Sequence, residues 1–373
     1  MNSKTLKVMI LYASYGNGHY QASKAIETVF RRKGVTDIVL LDLMAQAHPL
    51  INEFTKFVYL NSFKTLPSIY GWIYNATRKM QSETALLRLI NSFGTSTLLQ
   101  AVTSFDPDLV IHTFPQLTLP RLLKKTGMSI PLINIITDFD LHGRWLHPEI
   151  HRYYVATDDL KQEMKDLGIP EERIMASGIP IQPDFNRIQQ ESSHLNNLLH
   201  KNKKTILLMA GAYGVMQGNH DICEALTSSS QYQLIVVCGR NKELYRQLND
   251  RFGNRPDVHI YGYINNVADV MTMSDCMITK PGGITLSEAI ECRLPLILYR
   301  PVPGQELNNA LYLQRKGIAA IAHNVDSLMV QINSMLHDET RFQEIQHKIN
   351  DLRKPEAAEV IVNDIMEQCF VTS

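Results

Sequence analysis

Apolar positions along the chain gather into short runs, separated by longer stretches in which they recur every three or four residues. The runs "KVMILYA" (7–13), "DIVLLDL" (37–43), "DPDLVIHTF" (106–114), "PLINIITDF" (131–139) and "RYYVAT" (152–157) read as buried strands. The stretches between them read as helices, the first from about Tyr20 to Lys33. Strands buried on both faces and alternating with helices predict a parallel sheet covered on both sides. After "GIPIQPDF" (178–185), the polar stretch "NRIQQESSHLNNLLHKNKK" reads as a linker. A second series follows: "TILLMAGAYG" (205–214), "YQLIVVCGR" (232–240), "VHIYGYI" (258–264), "CMITKPGG" (276–283) and "LPLILYRP" (294–301). The expected fold class is α/β, with two doubly wound, Rossmann-like domains at 1–180 and 181–354 facing across a cleft. A last helix within 355–373, opened by Pro355, is expected to pack back on the first domain.

The loops at the carboxyl ends of these strands are unusual as a set: "SYGNGH" (14–19), "TDFDLHGRW" (137–145), "GAYG" (211–214), "CGRN" (238–241), "YGYINN" (261–266), "KPGG" (280–283) and "PVPGQELNN" (301–309). Open parallel sheets bind ligands at that edge. "SYGNGH" lacks the third glycine of a dinucleotide fingerprint, and "GAYG" lacks the Lys-Ser/Thr of a P-loop, which argues against a classical NAD site and a Walker A motif. In "TKPGGITLSEAI" (279–290) the glycines open a helix, where bare backbone N–H groups and the helix dipole suit an anion. That arrangement fits a nucleoside diphosphate, with Gly282 and Gly283 at the phosphates and Glu288, one turn on, accepting from ribose hydroxyls.

Together "ASYGNGH" with Ala22 after it, "TDFDLHGRW", "MAGAYG", "CGRN", "GYINN", "MITKPGGITLSEA" and "LYRPVPGQELNN" resemble the diacylglycerol glycosyltransferases. That family includes bacterial processive β-glucosyltransferases and plant monogalactosyldiacylglycerol synthase, with the MurG enzyme more distant. The resemblance runs from about residue 7 to residue 365. It implies a GT-B fold and an inverting transfer of glucose from UDP-glucose to diacylglycerol and then to the monoglucosyl product, giving glycolipids that include the anchor of lipoteichoic acid. It implies no cofactor and no active-site metal. Asp158–Asp159, formally an acidic pair, reads as the first turn of a helix. Residue by residue, the resemblance implies UDP contacts from Gly18, Gly211, Tyr213, Arg240, Tyr263, Ile264, Gly282, Gly283, Ile284 and Glu288, and sugar contacts from Gln305, Glu306 and Asn309. Tyr263 and Ile264 would frame the uracil. Arg240, where the family often has Lys, keeps a cation for the phosphates.

His19 matches the family's loop histidine. An imidazole titrates near neutral pH and suits a base that takes the acceptor hydroxyl's proton. Asp138, at a strand's carboxyl end, is either the rival base or the group that orients His19. Other members of the same fold keep alternatives open: a galactosyl- or N-acetylglucosaminyltransferase acting on another lipid, or a UDP-sugar 2-epimerase.

Composition adds a membrane expectation and removes others. Lys+Arg and Asp+Glu each number 37, which gives no overall balance for nucleic acid. The first hundred residues nevertheless hold eleven Lys/Arg against five Asp/Glu, a net of +6. Within 48–104, aromatic residues interleave with Lys56, Lys64, Arg78, Lys79 and Arg88. Rings at headgroup level and cations over anionic lipid fit a peripheral protein at the cytoplasmic face, of which Lys56, Lys64, Arg78 and Lys79 are the expected membrane contacts. No apolar run approaches the length of a membrane span, and the N-terminus lacks a secretory signal pattern. The five cysteines form no CxxC pair, which fits a reducing compartment.

Overall fold

The computed structural model describes residues 6–13, 17–42, 45, 95–115, 118–186, 199–214 and 216–371. Most of the aromatic-basic stretch, including Lys56, Lys64, Arg78 and Lys79, lies outside the described residues. The chain divides into two compact units. One spans residues up to Pro183 together with Pro303–Gln305 and the chain from Lys354 onward; the other spans Asp184–Val302 and Glu306–Arg353.

The first unit is built on a six-stranded parallel sheet. Its strands are β1 (Val8–Tyr12), β2 (Ile38–Asp42), β3 (Leu109–His112), β4 (Leu132–Ile135), β5 (Arg152–Val155) and β6 (Ile174–Ala176), in the order β2-β1-β3-β4-β5-β6. Val8 pairs with Ile38 on one side and Leu109 on the other, so β1 lies inside the sheet and is buried along almost its whole length. Helices α1 (Asn17–Arg32), α2 (Thr95–Phe105), α3 (Thr118–Thr126) and α4 (Asp158–Asp166) flank it. On α1 the buried Ala22, Ala25, Ile26, Val29 and Phe30 recur at helical spacing and give one apolar face. Thr157 caps α4 by accepting from Leu160 N, and Asp158 and Asp159 fill its first turn, as the sequence predicts.

In the second unit, strands β7 (Lys204–Met209), β8 (Tyr232–Val237), β9 (Val258–Tyr261), β10 (Cys276–Thr279), β11 (Leu296–Tyr299) and β12 (Ala319–Ala322) form another parallel sheet. Their order, β9-β8-β7-β10-β11-β12, is the doubly wound one. Its helices are α5 (Asn219–Thr227), α6 (Lys242–Phe252), α7 (Val267–Thr272), α8 (Gly283–Glu291), α9 (Gln305–Arg315), α10 (Val325–Leu336) and α11 (Glu339–Leu352). β7, β8, β10 and β11 are buried almost throughout, which explains why they read as unbroken apolar runs. Cys223, Cys238, Cys276 and Cys292 are unbridged.

The last helix, α12 (Ala357–Val371), belongs to the first unit. Ala358, Ile361, Val362 and Ile365 join a core cluster that includes Val8, Ile10, Ile26, Phe30, Ile133 and Tyr154. A polar clasp closes its far side. Arg152 donates from Nε and Nη2 to the two oxygens of Asp364, each at 2.9 Å, and the Tyr154 hydroxyl donates to the same carboxylate at 2.5 Å. The Arg152 and Asp364 side chains are only 13% and 16% exposed, so the pair is shielded from solvent screening. Replacing Asp364 with Ala leaves the guanidinium desolvated without its partner and should lower unfolding free energy by about 1.5–3 kcal/mol, the range for hydrogen bonds to charged groups. Tyr154→Phe should cost less. Urea denaturation followed by circular dichroism measures both, and a midpoint unchanged in Asp364→Ala would refute the clasp.

Candidate active-site residues of the two units

In a doubly wound sheet the crevice for ligand opens where successive connections leave in opposite directions. In the first unit that point lies between β1 and β3. The first turn of α1, with Gly18 and His19, follows β1, and Thr113 follows β3. His19 Nδ1 lies 2.7 Å from the Thr113 carbonyl oxygen and 3.1 Å from Thr137 Oγ1. A carbonyl oxygen only accepts, so Nδ1 carries the hydrogen and the neutral ring presents its lone pair at Nε2. Ser23 and Thr113 hold the same turn, their hydroxyls 2.9 Å apart, and Thr113 Oγ1 donates to the His19 carbonyl at 3.1 Å. The Phe114 ring meets the imidazole edge-on, with centroids 5.2 Å apart. Burial pushes the His19 pKa below its ordinary value; the negative charge of Asp138 and the bond to Thr113 pull it partly back.

Asp138 follows β4 and is almost fully buried. Its Oδ1 accepts from Gln305 Nε2 at 2.5 Å, within the Pro303–Gln305 segment that belongs to the first unit. The structure therefore brings His19, Asp138 and Gln305 into one neighbourhood. Ser23 and Thr113, which help orient the histidine, carry no motif that sequence reading could have singled out, whereas Thr137 opens the "TDFDLHGRW" stretch.

The corresponding point of the second unit lies between β7 and β10. The turn holding Gly211 and Tyr213 follows β7, and Gly282 caps α8 directly after β10, with Gly283 and Ile284 as its first residues. No side chain caps α8, and nothing lies within 4 Å of where a Cβ on Gly282 would stand. Gly282 also has an ordinary φ of −79°. The protein's own packing thus gives no reason for glycine there; the Gly282 N–H itself donates to the Lys280 carbonyl at 2.9 Å. Gly239 is a contrast. Its φ is +61°, and a Cβ would come within 2.5 Å of the Gly211 carbonyl oxygen, so the crossing of the β7 and β8 loops itself demands glycine. Arg240 N donates to the Ala212 carbonyl at 2.9 Å and ties the same two loops together.

Arg240 lies over the Tyr263 ring, 5.1 Å from its centroid, and Tyr263 is 48% exposed, with Ile264 next along the loop after β9. Glu288 sits one turn into α8, where burial pushes its carboxyl up to about 8. Glu306 pairs with Lys280 at 3.3 Å. Asn309 is fully buried, and its side-chain amide donates to the Pro281 carbonyl at 3.1 Å, so it supports the Pro-Gly-Gly turn from below. Among the described residues no group of three or more His, Cys, Asp or Glu side chains could hold a metal ion, and no helix is long and apolar enough to cross a membrane.

The family follows from comparison with known proteins. A processive diacylglycerol beta-glucosyltransferase of Bacillus thuringiensis (strain Al Hakam) is 39% identical over 370 residues, covering 99% of this chain and 95% of that protein. The chain belongs to that family of glycosyltransferases. The counterpart from Bacillus anthracis (strain CDC 684 / NRRL 3495) matches with the same identity and coverage. The family profile of monogalactosyldiacylglycerol (MGDG) synthase matches residues 19–181, and that of glycosyl transferases group 1 matches residues 190–351. Acinetobacter baumannii MurG superposes with a TM-score of 0.64 at 16% identity, over 97% of this chain and 99% of that one. A UDP-bound S. aureus MnaA superposes with a TM-score of 0.63 at 15% identity, over 97% and 96%. A UDP-GlcNAc 2-epimerase from Neisseria meningitidis bound to UDP-GlcNAc gives 0.61 at 14% identity, over 97% and 100%. These neighbours share the GT-B-type fold, and the sequence relatives separate a glycosyltransferase from an epimerase.

The two glycines should behave oppositely on substitution. Gly239→Ala should destabilise by about 1–3 kcal/mol through a forced left-handed conformation and the carbonyl clash. Gly282→Ala should fold with stability within about 0.5 kcal/mol of the parent. Thermal denaturation of both variants tests this, and equal losses would mean that Gly282 serves the fold alone.

Proposed function

We propose that this chain transfers glucose from UDP-glucose to diacylglycerol, and then to the monoglucosyl product, with inversion to the β-linkage. The identity to relatives named processive diacylglycerol beta-glucosyltransferase over nearly the whole chain carries the reading. In the first unit the acceptor hydroxyl attacks C1 of the donor while its proton passes to His19 Nε2. The bond from C1 to the β-phosphate oxygen breaks, and its electron pair leaves with UDP. The Thr113 carbonyl orients the imidazole, and the negative charge of Asp138 stabilises the ring's charge as it takes the proton.

In the second unit the amides opening α8, at Gly283 and Ile284, receive the diphosphate, with Arg240 as a cation for it and the Gly211–Tyr213 turn on the β7 side. Gly282, whose own N–H donates to the Lys280 carbonyl, leaves it room. Glu288 binds the ribose, and Tyr263 and Ile264 frame the base. Gln305 and Glu306 read the sugar, and Asn309 acts on it through the turn that it supports. No metal takes part in these assignments.

Radiolabelled UDP-glucose incubated with diacylglycerol vesicles tests the whole reading: labelled mono- and diglucosyl lipid is expected, and transfer only from UDP-galactose or UDP-N-acetylglucosamine would overturn it. His19→Ala should keep UDP affinity and lose about 10²–10⁴ in kcat. A base must be neutral, and burial holds the His19 pKa below 6.5, so kcat/KM should rise with pH to a plateau already reached at neutrality. The acid limb should be centred below pH 6.5. A limb centred above 7 would shift the base to another group.

The basic, aromatic stretch within 48–104 is assigned to the membrane surface, on the strength of its composition. Several cations that each contribute about 1 kcal/mol over anionic lipid would hold the protein reversibly. Flotation with anionic vesicles should weaken with salt and fall when Lys56, Lys64, Arg78 and Lys79 are all changed to Glu. Equal binding to neutral and anionic vesicles would leave hydrophobic insertion as the sole attachment.

A further inference from the structure

Lys280 follows β10 and precedes the Pro281–Gly282–Gly283 turn. Its ammonium lies 3.3 Å from Glu306 Oε1, while the other carboxylate oxygen accepts from the Val302 backbone N–H at 3.4 Å. The two side chains are 16% and 20% exposed, so this is a sheltered pair and not a freely solvated one. One turn further along α9, the Asn309 amide holds the Pro281 carbonyl at 3.1 Å. The start of α9 therefore grips the diphosphate turn twice, by charge at Lys280 and by a hydrogen bond at Pro281.

We propose that Lys280 is a positioning residue for donor-sugar recognition, orienting the Glu306 carboxylate toward the hexose of a nucleoside diphosphate sugar and registering it against the diphosphate turn. The proposal rests on the donor-half reading above. A carboxylate tells one hexose from its epimer by accepting from particular hydroxyls, which requires a set direction. With one oxygen held by Lys280 and the other by the Val302 N–H, the Glu306 lone pairs that remain point in a fixed direction. A lysine that bound phosphate directly would leave Glu306 unheld and would contribute to UDP itself, so the two roles differ in what they do to UDP lacking a sugar.

The test compares wild type, Lys280→Met, Lys280→Arg and Glu306→Gln in UDP affinity and in kcat and KM with UDP-glucose and UDP-galactose. Lys280→Met should bind UDP within about threefold of wild type. Its ratio of kcat/KM between the two sugars should fall by about ten- to a hundredfold, the effect of one charged hydrogen bond. Glu306→Gln should show the same loss, the double variant little more than either alone, and Lys280→Arg should restore most of the ratio. Lys280→Gln, which keeps a polar group, replaces Lys280→Met if the latter fails to fold. UDP affinity falling as far as the sugar-nucleotide affinity would make Lys280 a phosphate ligand, and an unchanged sugar ratio would remove it from recognition; either result overturns the proposal. A wild-type protein that bound no UDP would instead reject the donor-half assignment.

Discussion

Parallel strand pairing is the constraint from which the rest follows. Two neighbouring parallel strands cannot be joined by a tight turn, so each connection must carry the chain back across a face of the sheet, usually as a helix. Every strand then ends on the same edge, and every loop leaving that edge either enters a helix at its positive end or crosses to another strand. His19 and the Pro-Gly-Gly turn both owe their positions to this rule, at the β1/β3 and β7/β10 junctions respectively. The helices cover both faces, which makes the strands apolar throughout and leaves the edge as the place where polar chemistry is affordable.

At that edge the two units solve opposite electrostatic problems. On the proposed reading the first must keep a titratable group neutral. Desolvation does this for His19, and an obligate acceptor, the Thr113 carbonyl, decides which nitrogen bears the hydrogen. On the same reading the second receives negative charge at the start of α8, where no side chain caps the helix and nothing lies within 4 Å of where a Cβ on Gly282 would stand. At His19 the deciding group is a backbone carbonyl, and burial makes its bond stronger than it would be in water.

The fold class was legible because buried parallel strands leave long apolar runs, and β7, β8, β10 and β11 lie inside the runs that mark them. β6 (Ile174–Ala176) and β12 (Ala319–Ala322) were not legible. The first has only three residues, and "AAIA" in the second suits a helix as well as a strand. Of the site, the residue types that carry chemistry stood out, since His19, Glu288 and the glycines sit in recognisable loops. What holds them did not. The Thr113 carbonyl has no side-chain signature, Ser23 looks like any helical serine, and Lys280 meets Glu306 across 26 positions of sequence. Asn309 was legible as a motif residue, yet only its burial against Pro281 reveals that its contact is with the turn.

The membership of α12 in the first unit bears on how the protein is made. Val8 and Ile10 leave the ribosome before the second unit, whereas Ile361, Val362 and Ile365, which share their core, are added only after it. The half that is begun first therefore cannot finish its interior until the second unit, whose sequence is complete by Arg353, has been synthesised. Until then an apolar groove on α1 and the sheet stays open, awaiting its last helix, and chaperones that shield nascent chains have their natural substrate in that interval.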